Sequence, residues 1–226
     1  MFRMMKLRPP HGWNAVAWEL AIVTLGVLIA LAAQQFVDDI NRRSEVRQLV
    51  GGLRGELGDM RARWEHVRNS DPCTMQRLDA LDRWIATAPP DAKLASAYRP
   101  FLWNMHTGAW DLAKTSDAMS DIPLKQRLTF ASLYDAINNW RQMISEENAN
   151  TQALNGLLAT ADQPENRRQI AYRLSLARGF VSRRKLNYDY MFKRFDDLGI
   201  APDESQLTVK ADDKALCAPL DRLSQA

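Results

Sequence analysis

An all-α fold is predicted for this chain: an N-terminal transmembrane helix continuing into an up-and-down bundle of about four to five helices. Three observations carry that expectation. Ala15 to Phe36 is a long apolar run behind a short basic leader. Beyond it, apolar residues recur at alternating spacings of three and four. Glycine is sparse, and the Val-, Ile- and Thr-rich runs that mark strands are missing.

The apolar run sets the first element. Twenty-two helical residues reach roughly 33 Å, the thickness of a hydrocarbon core. Thr24 can return its hydroxyl to a carbonyl one turn back, and Gly26 is a residue type common in membrane helices. Trp13 and Trp18 stand at the start, where amphipathic rings favour the headgroup level. Glu19 beside them is read as a carboxylate reaching the interface, with a partner contact inside the bilayer as its functional alternative. Gly26, Ala30 and Ala33 form a small-residue stripe against which a second helix could close, which opens the possibility of a homodimer.

A cleavable signal peptide shares the basic leader, the apolar run and small residues at Ala30, Ala32 and Ala33. Glu19, Trp18 and the continuation to Phe36 argue for an uncleaved anchor. Arg3, Lys6 and Arg8 before the run nearly balance Arg42, Arg43, Arg47 and Arg54 after it. Asp38 and Asp39 directly follow the span, and the leader's charges lie closer to it. The expected topology is therefore single-pass in the inner (cytoplasmic) membrane, with residues 1–14 cytoplasmic and 15–36 spanning. A helical domain over 37–200 and a polar tail over 201–226 are then periplasmic or otherwise extracytoplasmic.

Val46, Val50, Leu53, Leu57, Met60, Trp64 and Val67 alternate four and three apart, a seam for packing on other helices. This rod is expected to continue from the span and end at Asn69-Ser70-Asp71-Pro72. Gly51, Gly55, Gly58 and Ala62 repeat on a neighbouring face, which suggests close approach of another helix, with a pliable juxtamembrane stalk as the alternative. A second helix is predicted over 74–88, with Met75, Leu78, Leu81 and Trp84 or Ile85 inward, ending at Pro89-Pro90. A third element runs from about Ala92, interrupted by Pro100, into 101–119, with Trp103, Trp110 and Leu112 in the core.

A long helix over 124–161 follows, using Leu128, Leu133 or Tyr134, Ile137, Trp140 or Arg141, and Ile144. Pro164 suits the first turn of the last helix. Its stripe is Ile170, Leu174, Ala177, Val181, Tyr188, Met191 and Phe195, with Arg184 at one seam position, and Gly199 ends it.

The net charge of +3 belongs mostly to the leader; without Arg3, Lys6, Arg8 and Glu19 the balance is +1. That gives no electrostatic case for nucleic acid. The two cysteines, Cys73 and Cys217, lie outside any Cys-x-x-Cys pair and in an oxidising compartment suggest one disulfide, two free thiols being the alternative. His11, His66 and His106 have no metal-ligand spacing. Glu146-Glu147 is read as a solvated face. Arg167, Arg168, Arg173, Arg178, Arg183, Arg184 and Lys185 could form a basic patch, but their flanking positions read as stems covering the core edge with wet heads. No nucleophile elbow, phosphate loop or dinucleotide fingerprint occurs, so neither an enzyme nor a cofactor is expected.

Trp18-Glu19-Leu20-Ala21-Ile22-Val23 and Gly26-Val27-Leu28-Ile29-Ala30-Leu31 resemble a set of uncharacterised bacterial proteins with one N-terminal membrane anchor and a helical domain of unknown function. Trp110-Asp111-Leu112-Ala113-Lys114-Thr115-Ser116, with Leu133-Tyr134 downstream, is similar to a second motif there, although Asp117 stands where that pattern has glycine. The resemblance implies architecture and no activity. The expected function is a membrane-anchored scaffold or interaction role at the bacterial envelope, with lipid and a protein as partners. The alternative is an extracytoplasmic ligand-sensing bundle acting as a subunit of a larger complex.

Overall fold

The computed structural model describes residues 12–94, 105–203, 205, 217 and 220. Among them every regular element is helical: α1 (Gly12–Thr87), α2 (Gly108–Ala113), α3 (Leu124–Leu158) and α4 (Pro164–Asp197). A 3-10 turn covers Asp117–Asp121. Trp103, the leader up to residue 11 and most of the 201–226 tail lie outside the described residues. The chain divides into two units, Met1–Gln48 and Leu49–Ala226.

In the first unit, the part of α1 after Val16 is long and apolar enough to cross a membrane, judged by length and composition. Its large side chains are exposed on every side, from Leu20 and Ile22 through Ile29 to Phe36. Thr24 donates its hydroxyl to the Leu20 carbonyl at 2.8 Å, so the one polar side chain between Leu20 and Ala33 is satisfied within the helix.

In the second unit, α1, α3 and α4 share two apolar clusters. One gathers Leu53, Leu57, Met60 and Trp64 with Phe130, Leu133, Ile137, Trp140 and Met143, and with Met191 and Phe195. The other gathers Leu78 and Leu81 with Leu154 and Leu158, and with Ile170, Leu174 and Ala177. All the apolar residues assigned to the α4 stripe are buried. Helix α4 ends as its sequence requires. Gly199 has φ of 62°, a left-handed conformation that glycine adopts without a Cβ penalty. Gly199 N–H bonds the Asp196 carbonyl and Ile200 N–H the Phe195 carbonyl, the two bonds of a Schellman cap, with Ile200 and Phe195 both in the core.

Four expectations are corrected. Asn69-Ser70-Asp71-Pro72 does not break the rod: α1 passes through Pro72 to Thr87, and 74–88 is no separate helix. Pro72 is exposed, and its ring nitrogen has no hydrogen to donate to the Arg68 carbonyl one turn back. Ser70 donates to the His66 and Val67 carbonyls and Thr74 to that of Ser70, which keeps these polar residues inside the helix. The third element is not one helix over 101–119 but the short α2 and the 3-10 turn, with Trp110 buried and Leu112 exposed. Leu128 is exposed, while its α3 companions Leu133, Tyr134, Ile137 and Trp140 are buried. The glycine row of α1 meets no helix: space around Gly51 and Gly55 is open, and the segment after α4 crosses Gly58 instead. There Asp203 N–H bonds the Gly58 carbonyl at 2.9 Å.

A buried polar layer and an open groove as the candidate functional site

The seam of α1 does not stop at Val67. Continuing the alternation of four and three gives Asp71, Thr74, Leu78, Leu81 and Ile85. The seam of α3 runs Phe130, Leu133, Ile137, Trp140, Ile144, Glu147, Thr151, Leu154 and Leu158 on the same rule. That of α4 places Arg184 between Val181 and Tyr188. Asp71, Glu147 and Arg184 thus occupy core positions in three helices, and the fold brings them together between the two apolar clusters.

Arg184 binds Asp71 Oδ1 through Nε at 3.2 Å and Nη2 at 2.7 Å, and Glu147 through Nη1. Tyr188 donates its hydroxyl to the other Asp71 oxygen at 2.5 Å. The three charged side chains are 7%, 2% and 6% exposed for Arg184, Asp71 and Glu147. Burial alone would push the guanidinium down, but the charges of Glu147 and Asp71 outweigh it and hold Arg184 above its ordinary pKa. Burial and then the Asp71 charge raise the Tyr188 phenol. Asn150 and Thr151 extend the layer, Asn150 donating to the Arg173 carbonyl at 3.1 Å and Thr151 to that of Glu147 at 2.9 Å.

Two charges and their counter-charge taken out of water cost several kcal/mol per ion, so the layer specifies more than it stabilises. An apolar three-helix core could slide by a heptad. A single arginine that meets carboxylates from two other helices at one level fixes their axial register. The groups of the layer are bonded to one another across the three helices.

A second cluster anchors the loop side. Glu56 on α1 accepts the Tyr134 hydroxyl at 2.6 Å and the Ala109 N–H at 2.9 Å. Trp110 stacks on Tyr134 with ring centroids 4.7 Å apart. Burial, then the hydrogen bond to Glu56, raises the Tyr134 phenol.

Beside the polar layer an open groove of about 720 Å³ runs between α3 and α4. Its floor is Ala136, Trp140, Met143 and Met191. Its α3 wall carries Leu128, Ser132, Asp135, Asn139, Gln142 and Glu146, again four and three apart; its α4 wall carries Arg183, Asn187 and Tyr190. Ser132 and Tyr190 share a hydrogen bond of 3.1 Å across it. Arg183 and Glu146 each precede a member of the buried Arg184–Glu147 pair, so one end of the groove lies beside that pair.

The residues singled out from sequence are distributed as follows. Cys73 and Cys217 are bonded, their Cα atoms 4.9 Å apart, which ties residue 217 to α1 two residues after Asp71. Trp13 and Trp18 are 79% and 70% exposed, and Glu19, Ala30 and Ala33 are exposed as well. Nothing lies within 4 Å of a Cβ built on Gly26. Two readings are overturned: Glu147 is buried rather than solvated, and the Arg184 head is dry. Two other arginines of α4 reach across the fold. Arg178 pairs with Asp79 and Asp82 of α1, and Arg167 donates to the Ala161, Ala88 and Pro89 carbonyls. No group of three His, Cys, Asp or Glu placed to hold a metal ion occurs among the described residues.

No family model, curated protein or solved structure matches this chain.

Proposed function

We propose that the chain is a membrane-tethered scaffold of the bacterial envelope, a helical bundle that presents the α3–α4 groove to another protein. The apolar stretch of α1 anchors it as a single pass, with the leader in the cytoplasm and the bundle outside. Two cysteines joined in a disulfide fit an oxidising compartment. The resemblance of Trp18 to Leu31 to anchored bacterial proteins of unknown function fits the same architecture. Tethering at the membrane leaves the bundle surface as the part that does work.

The observation that carries this reading is the groove: an apolar floor with polar walls between α3 and α4. Ligand pockets bury most of a small molecule and converge a few polar groups on it. Here the polar groups stand in rows along two helices, the arrangement that receives an elongated protein surface. A sensing role is therefore the weaker reading.

The test is site-specific photo-crosslinking of the full-length protein in its native membrane. A crosslinker at Asn139, in the groove, is expected to give a discrete protein adduct, whereas one at exposed Arg168 gives none. Adducts equally diffuse from both positions, or none from Asn139, would contradict the proposal.

A further inference from the structure

Resting on that reading, we infer that the occupant of the α3–α4 groove is a second copy of this chain, docked by a two-fold axis that runs along the groove. Helices α3 and α4 are antiparallel, since Ser132 meets Tyr190 while Asn150 meets the Arg173 carbonyl. Rotation about an axis lying along the groove sets α3 of one copy against α4 of the other at unchanged levels. It also keeps Leu49 of both copies at the same end.

Charge then makes the face complementary to itself. The α3 wall is acidic, with Asp135 and Glu146; the α4 side is basic, with Arg183 and Arg194. Asp135 lies eleven residues before Glu146 and Arg194 eleven after Arg183, so in antiparallel helices both acid–base pairs share one register. That register is set by the neighbouring buried pair, Glu147 with Arg184. Within one copy these groups are not paired with each other: Glu146 accepts from Gln142, and Arg194 lies 5.0 Å from the centre of the Tyr190 ring. The two-fold brings Glu146 of one copy to Arg183 of the other, and Asp135 to Arg194, twice over.

Apolar side chains complete the face. Leu128 and Tyr190 line the groove at 60% and 46% exposure, and Leu186 stands farther out on α4 at 84%. On α4 the outward row Tyr172, Leu176, Gly179, Arg183, Leu186 and Tyr190 alternates four and three apart, a second seam distinct from the buried one.

Leu128 to Glu146 spans about 27 Å, and two helices are about 20 Å wide, so the face measures about 500 Å² per copy. The total stands at the low end of specific interfaces. A weak pairing of this size becomes populated when both copies share one membrane and the effective concentration rises.

The experiment therefore uses the full chain in membranes. Two differently tagged copies are co-expressed, one with Asn139→Cys and one with Asn187→Cys; neither native cysteine is free to compete. The expected result is a disulfide-linked pair of the two tags, about tenfold above the control pairing of Asn139→Cys with Tyr172→Cys. Glu146→Arg is expected to cut that yield about tenfold, and adding Arg183→Glu to restore it. Both residues are exposed, so neither change threatens the fold. Equal yields from the two pairings, or a double variant that stays low, would overturn the two-fold. An Asn139 adduct that contains a different protein in one-to-one ratio overturns the self-pairing and leaves the scaffold reading standing; an Asn139 crosslinker that captures no protein overturns both.

Discussion

Arg184 of α4 places Nη2 2.7 Å from Oδ1 of Asp71 on α1, in the residue pair directly before the proline that the rod passes without breaking. The same guanidinium holds Glu147 of α3, so one side chain joins three helices. Removing it strands two carboxylates in the core. Arg184→Met is expected to lower stability by about 3–5 kcal/mol, and replacing Asp71 and Glu147 by Leu as well to recover most or all of that loss. Urea unfolding of the full-length protein in detergent measures it, as a midpoint shift at unchanged slope. A loss below about 1 kcal/mol for the single variant would mean the charges are not sealed.

Gly55 and Gly58 sit one turn apart on α1 with opposite surroundings. Gly55→Ala fills open space and is expected to stabilise by up to about 1 kcal/mol, the helix preference of alanine over glycine. At Gly58 a Cβ would stand 3.0 Å from the Ala201 carbonyl oxygen, a backbone atom held by the Asp203 N–H bond. Gly58→Ala is therefore expected to destabilise. Paired thermal melts decide between the two, and equal gains at both sites would remove the 201–203 segment from α1.

How much was legible divides along the same lines. The α4 stripe, the α3 seam and the Gly199 stop follow from apolar spacing and from glycine's left-handed freedom, both local properties. Asp71 was hidden because Asn-Ser-Asp-Pro has the composition of a turn, and Glu147 because an adjacent glutamate suggests solvent. The missing signal was periodicity carried past polar residues: Val67, Asp71, Thr74 and Leu78 keep the seam, as do Ile144, Glu147 and Thr151. Arg184 at a seam position was the one visible half of the cluster, and a buried cation demands buried acids. The groove was not legible at all, since it depends on how α3 and α4 diverge beyond their shared core.

The Cys73–Cys217 bond closes a separation of 144 residues. In the chain-entropy account such a loop constrains the unfolded chain by about 5 kcal/mol, an upper bound for the loss when Cys217→Ser and Cys73→Ser are combined. Adding reductant to the native protein should reproduce the loss and leave the double variant unaffected. A midpoint insensitive to reductant in the native protein would show that the bond adds nothing.

Tyr134 and Tyr188 both have phenols raised from 10.0, chiefly by burial and then by Glu56 and Asp71 respectively. The unfolded chain therefore releases these protons first as pH rises. The stability they confer is complete below pH 10 and drains above it by about 1.4 kcal/mol per unit for each phenol. Absorbance titration of the tyrosinates should show two of the five tyrosines ionising only as the fold is lost. Reversible ionisation of all five near pH 10 in folded protein would contradict the buried hydroxyl bonds.

The central claim is that the apolar part of α1 holds the helical domain on a bilayer, and alkaline extraction of cell membranes tests it most directly. The account predicts that full-length protein stays in the membrane pellet after the wash, while a chain lacking residues 1–36 is recovered in the aqueous phase. Full-length protein, its leader intact, recovered in the aqueous phase without lipid would contradict it.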